Sequence, residues 1–139
     1  MTMRYLLDTS ALAEPIRPVP HPAFMARLAR DHADCAMATV TWHEALYGVA
    51  RLAPGVRRDS LHRYLHHVVA PSLPLLPYDS EAAAWHAEMR AMRERLGRPL
   101  AFADGQIAAV AYVNDLIVVT ANVVDFKGLE GLQVENWLG

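Results

Sequence analysis

RYLLDTSAL, residues 4–12, carries a short apolar stretch, Tyr5 to Leu7, straight into an acid. A run this short, closed by the turn formers Asp, Thr and Ser, predicts a buried strand that ends at Asp8. Asp is seldom buried without a partner, because an unpaired carboxylate in an apolar setting loses its hydration or shifts its pKa. Whatever compensates Asp8 therefore decides what the strand end is for. The options are a backbone cap, a basic partner, a phosphorylation role, or a metal shared with other acids.

Working outward, runs of the same kind recur at CAMAT (Cys35 to Thr39), LPLLPY (Leu73 to Tyr78), LIVVTA (Leu116 to Ala121) and LQVENW (Leu132 to Trp137), and predict four more strands. Helical spacing of apolar residues lies between them, over Pro22 to His32, Thr41 to Leu52, Val56 to Val69, Ser80 to Leu96 and Ala103 to Asn114. The Pro-rich Glu14 to Pro22 reads as an extended connection, and Ala53-Pro54-Gly55 and Gly97-Arg98-Pro99 as breaks. Strand and helix alternate, so the expected fold is α/β, one domain over residues 1–139 with a mainly parallel central sheet flanked by helices. In such sheets ligands collect beyond the carboxyl ends of the strands, where Asp8 is placed.

With 139 residues and 53% hydrophobic content the chain can bury a core without a covalent staple, and its single cysteine, Cys35, excludes an intrachain disulfide. The start MTMRYLLDTS breaks its apolar character with a charge and then an acid, so no signal peptide is expected. No apolar run approaches a membrane span, and a cytoplasmic protein without membrane contact is expected. A net charge of −2 argues against a broadly basic nucleic-acid coat. A polyanion would have to be handled by a few placed cations or by a metal.

Each acid has an ordinary explanation. Asp8 can cap the turn before Ala11 and Leu12. Thr41-x-x-Glu44 fits a capping box, with Thr41 bonding the Glu44 N–H and the Glu44 side chain reaching back. Asp104, near the start of a helix, is favoured there by the macrodipole. It also precedes Ile107 and Ala108 by three and four positions, which points it along the buried side. Asn122 is a turn residue, and Asp125 a cap for the next turn. The coincidence is what strains these explanations. Strand exits and helix entries share one edge of a parallel sheet, so Asp8, Glu44, Asp104, Asn122 and Asp125 can converge there. Clustered carboxylates repel, and a hard divalent cation bound through oxygen removes the repulsion.

YLLDTSAL, ATVTWHEALYGV, FADGQIAAVA, VVTANVVDF and a final VENW, in this order, resemble the PIN-domain family and, within it, the VapC-like ribonuclease toxins of bacterial toxin-antitoxin pairs. The resemblance spans essentially the whole chain. It implies a metal-binding acidic set, with Asp8 and Asp104 as direct ligands of Mg²⁺ or Mn²⁺. Glu44 would be a ligand or orient a metal-bound water. The fourth position falls to Asn122 or Asp125: many family members carry Asp where this chain has Asn122, and Asp125 is an acidic neighbour in the same motif. The resemblance further implies an endoribonuclease acting on RNA, a VapB-like antitoxin that inserts a segment into the site, and a homodimer. The alternative from another class is a catalytically weak nucleic-acid-binding module acting through its antitoxin.

Thr9, Ser10 and Thr120 can support the acids by hydrogen bonds, although turn or cap hydroxyls are the favoured reading for all three. Arg51, Arg57, Arg58, Arg93, Arg95 and Arg98 can meet phosphate, Arg98 first among them because it precedes Asp104, against the ordinary role of a solvated helix face. Phe24, Met25, Leu28, Trp42, Leu46 and Val49 offer an apolar surface for an antitoxin segment, with core packing the favoured reading for most. His62, His66 and His67 lack the acid or thiol a zinc site needs, and Tyr47 stands where a zinc protease following His43-Glu44 needs its second His. Ser10 lacks the glycine-flanked elbow of a hydrolase, and occupies the place of the second Asp of a phosphoaspartyl enzyme.

Overall fold

The computed structural model describes residues 3–138, so the first two residues and the last residue of the expected domain lie outside the described residues. Five strands form the sheet: β1 (Tyr5–Leu7), β2 (Cys35–Ala38), β3 (Leu75–Leu76), β4 (Ile117–Val119) and β5 (Val134–Glu135). Their order is β3-β2-β1-β4-β5 and every pairing is parallel, with Leu6 opposite Ala36 on one side and Val118 on the other. The opening stretch is thus the central strand.

Side chains alternate across the sheet. Leu6, Ala36 and Val118 point to one core. Tyr5, Leu7, Met37 and Val119 point to a second core on the opposite face. Both faces are covered, which is why these strands are continuous apolar runs rather than alternating ones. The strands are shorter than the runs that announced them, and the outer pair have two residues each. Among the described residues β3 and β5 each have one neighbour and form the edges of the sheet.

The helices are α1 (Thr9–Ala13), α2 (Pro22–Asp31), α3 (Thr39–Ala50), α4 (Val56–Tyr64), α5 (Ala70–Ser72), α6 (Ser80–Arg95) and α7 (Phe102–Val113), with a π-helical segment over Leu65–Val69 joining α4 to α5. α6 and α7 cover the first core through Ala82, Ile107, Ala108 and Ala111. α1 to α4 cover the second through Leu12, Phe24, Val49 and the neighbouring Leu65.

Two local expectations are corrected. Glu14 to Pro22 is not extended throughout, because Glu14–Ile16 forms a 3-10 turn. Glu14 is buried at 4% exposure and accepts from the His21 N–H at 3.1 Å and from Arg17 Nη1 at 3.1 Å, which draws the loop around its carboxylate. The capping box at Thr41 is absent. α3 starts two residues earlier, capped by no side chain after Ala38, and places Thr41 inside the helix, fully buried. Among the described residues no helix is long and apolar enough to cross a membrane.

Candidate active site at the carboxyl edge of the sheet

Asp8 leaves β1 while still in the sheet, its N–H bonded to the Val119 carbonyl at 3.1 Å. Its Oδ1 accepts from the Ala11 N–H at 3.0 Å, so Asp8 is the N-cap of α1, and from the Ser10 hydroxyl at 2.7 Å. Ser10 Oγ in turn accepts the Ala121 N–H at 3.0 Å. One serine therefore ties the exit of β1 to the exit of β4. Asp8 is buried at 6% exposure and engages only Oδ1 with the protein, leaving Oδ2 unbonded among the described residues.

Glu44 enters from α3, half-buried, and accepts the Thr9 hydroxyl on Oε1 at 2.9 Å. Again one oxygen is used. The favoured reading of Thr9 and Ser10 as plain turn hydroxyls is incomplete, since each holds one of the acids. Thr120 keeps its turn role: its buried hydroxyl accepts the Asn122 N–H at 2.9 Å.

Asp104 sits in the first turn of α7, half-buried. Its carboxyl is pushed above the ordinary range, first by burial and then by the negative charges of Asp125, Asp8 and Glu44. Four carboxylates from β1, α3, α7 and the turn after β4 thus act on one another. Asp125, exposed, lies in the 3-10 turn Val123–Phe126 and lines a cleft of about 470 Å³ together with Asp104. It is inside the turn rather than its cap. Asn122 occupies the cap position of that turn without a side-chain bond and does not line the cleft.

The ion pairs of the described residues fall on Glu14, Asp31, Asp34, Glu94 and Glu135, and none reaches Asp8, Glu44, Asp104 or Asp125. This all-oxygen, uncompensated anionic set suits a hard divalent cation. Among the described residues no three His, Cys, Asp or Glu side chains stand close enough to hold an ion as they are. Like charges without a counter-ion keep apart, so the free oxygens of Asp8 and Glu44 would have to swing inward around one.

Cations stand on both sides of the acids. Arg98 and Lys127 line the cleft that holds Asp104 and Asp125. Arg93 builds its wall, donating to the Arg98 carbonyl at 2.8 Å and the Lys127 carbonyl at 3.0 Å. Lys127 is absent from the sequence-based candidates, although it is the chain's single lysine and stands two residues beyond Asp125. Arg51 and Arg57 line a second cleft that opens on Thr9 and Glu44. Arg58 and Arg95 line neither.

Phe24 and Val49 belong to the core, with Trp42 and Leu46 packed against it. Met25 and Leu28, also packed against it, face an apolar groove of about 270 Å³ beside Tyr64 and Val68. His62 and His66 lie ring to ring at 4.3 Å, and among the described residues no third His, Cys, Asp or Glu joins them in a set that could hold a metal.

Residues 5–130 match the family described as PIN domain. The chain is 35% identical to "Toxin FitB" of Neisseria gonorrhoeae, over 95% of this chain and 97% of that protein. It is 27% identical to "tRNA(fMet)-specific endonuclease VapC" of Salmonella typhimurium, over 97% and 98% of the two chains. Among solved structures, FitAcB from Neisseria gonorrhoeae superposes with a TM-score of 0.88 at 33% identity, covering 96% of this chain and 97% of that one.

Proposed function

Because the chain belongs to the PIN domain family, we propose that it is a ribonuclease toxin that hydrolyses RNA phosphodiester bonds at the edge formed by Asp8, Glu44, Asp104 and Asp125. The observation that carries this reading is one sheet edge where Asp104 shares a cleft with Asp125 and feels the charges of Asp8 and Glu44, none of the four with a cationic partner among the described residues. Mg²⁺ or Mn²⁺ held by these carboxylates would polarise the phosphoryl oxygens and supply an activated water at neutral pH. The protein's own residues prepare that chemistry. Ser10 and Thr9 each hold one carboxylate oxygen of Asp8 and Glu44, which leaves the other free to turn toward an ion. Arg98 and Lys127 offer positive charge to the RNA backbone beside an otherwise repelling acidic mouth.

The nuclease and toxin names of the relatives support this reading. A cell that makes such an enzyme must hold it inactive, and a cognate VapB-like antitoxin placing a cation among the acids would do so. Cytoplasmic localisation and a homodimer belong to the same reading.

Cleavage of RNA by the purified chain with added Mn²⁺ tests it. Asp8→Asn and Asp104→Asn should each keep the circular dichroism spectrum of the wild type. Each should lower cleavage by more than the roughly 100-fold that loss of a hydrogen bond supporting a metal ligand produces. Full activity in either folded variant would remove that acid from the site. No metal-dependent cleavage by the wild type would favour the catalytically weak module.

A further inference from the structure

α3 brings Glu44 to the acidic edge, and immediately outside it the helix exposes His43 and Tyr47, with Arg51 at its C-cap continuing the same stripe at a spacing of four residues. Tyr47 is 59% exposed, although Trp42, Ala45, Leu46 and Val49 of the same helix pack against the second core. The stripe is ordered. The His43 and Tyr47 rings are 13° from parallel with centroids 6.4 Å apart, and the Arg51 guanidinium lies 5.8 Å from the Tyr47 centroid. Neither Arg51 nor Arg57 has a carboxylate partner among the described residues. Both line the cleft whose far end is Thr9 and Glu44.

A solvated helix face has no need of parallel π surfaces. Flat faces at the rim, next to unpaired cations that line the cleft of Glu44, match the two parts of a nucleotide, its base and its phosphate. We propose that His43, Tyr47 and Arg51 form a stacking platform for the bases of single-stranded RNA next to the scissile phosphate, with Arg51 and Arg57 holding the adjoining backbone. The inference rests on the ribonuclease reading and adds to it the residues that seat the bases flanking the cut. By rise along the helix Arg51 is about 10 Å from Glu44, within reach of the nucleotides that flank the cut.

The test uses Tyr47→Ala and Tyr47→Phe. Tyr47 is exposed, and circular dichroism checks that both variants fold. In steady-state cleavage of oligoadenylate, Tyr47→Ala should raise KM about tenfold, the loss that follows removal of one base-aromatic stack, and leave kcat near the wild-type value. Tyr47→Phe should retain the wild-type KM. Binding of labelled oligoadenylate, measured by anisotropy in an Asp104→Asn background that does not cleave it, should weaken by the same factor. Binding of an abasic strand of equal charge should not change. An unchanged KM in Tyr47→Ala, an equal loss for the abasic strand, or failure of Tyr47→Phe to rescue overturns the platform. A shift in oligomeric state with RNA binding intact, read by light scattering, also overturns it and assigns the stripe to contact between two copies. Absence of cleavage by the wild type refutes the ribonuclease reading, while the anisotropy comparison still decides whether bases stack on Tyr47.

Discussion

Asp104 bears the electrostatic cost of the site. Its carboxyl is raised by burial and by Asp125, Asp8 and Glu44, so the folded chain holds its proton more tightly than the unfolded chain does. The unfolded state then releases that proton first as pH rises. Stability falls from the ordinary Asp range up through the raised folded value, and stays reduced at neutral pH. Asp104→Asn should therefore melt on the order of a few degrees higher than wild type in EDTA at neutral pH, and the difference should vanish below the ordinary Asp range. Mn²⁺ should raise the wild-type melting temperature more than the variant's, since it binds the folded state. A variant that melts lower in EDTA and responds equally to Mn²⁺ would mean that Asp104 serves only as a helix-start charge. At this scale Asp8 was legible as an oddity, because charge at the end of an apolar run is costly, whereas Glu44, Asp104 and Asp125 each had an ordinary explanation and were drawn together only by the shared edge of strand exits and helix entries and by the family resemblance. Asp8 turned out to be the cap of α1 and a member of the acidic set at once, since a carboxylate has two oxygens. The Thr41 capping box failed because spacing alone does not reveal where the preceding strand stops, and α3 had begun at Thr39.

At the scale of elements, α7 is held to its place by α6. His86 is buried at 2% exposure, its Nδ1 paired with the Tyr78 hydroxyl at 2.8 Å and its Nε2 pressed against Gly105, the residue after Asp104. Burial, and then the charge of Arg90, hold the imidazole below its ordinary pKa, and so neutral. A Cβ at position 105 would overlap His86 Nε2 and crowd Leu100. Gly105→Ala should thus cost about 1–3 kcal/mol in denaturant unfolding, despite the better helix propensity of Ala. Adding His86→Ala should recover part of the loss over His86→Ala alone; equal effects in both backgrounds would refute the contact. Read along the chain, Gly105 is only a weak point in a helix. Its reason lies on another element, which periodicity does not report. The helical segments themselves were legible from their apolar spacing, whereas the π-helical segment at Leu65–Val69 has no such signature in the sequence.

For the molecule as a whole, Arg27 joins parts of the chain that are far apart in sequence. It bonds Asp31 at 2.7 Å, the Tyr5 hydroxyl at 3.0 Å and Glu135 at 3.1 Å, and its guanidinium lies 4.8 Å from the Trp137 ring centre. α2, β1 and the edge strand β5 are thereby clamped together. Arg30, and then Arg27, hold the Asp31 carboxyl below its ordinary range, so the stability it contributes is present above that range and lost as pH falls through the folded value. Arg27→Ala should lower the melting temperature at neutral pH by several degrees and lose less on acidification than wild type does; parallel pH profiles would show that Asp31 depends on Arg30 alone. The α/β class and the parallel sheet followed from the alternation of short apolar runs with helical spacing. Strand order did not, nor did this clamp, because neither leaves a local pattern.

The central position of β1 bears on how the protein is made. β1 is synthesised early, yet it is flanked on one side by β4, and the acidic set combines Asp8 with Asp125. On the ribosome, the first carboxylate waits for the partner strand and the final acid until most of the chain has emerged, since domains fold as units when their long-range pairings become available. An interrupted translation product lacks a complete site. The order of the elements itself thus delays the birth of a nuclease until β4 and the turn after it have joined the strand that was made first.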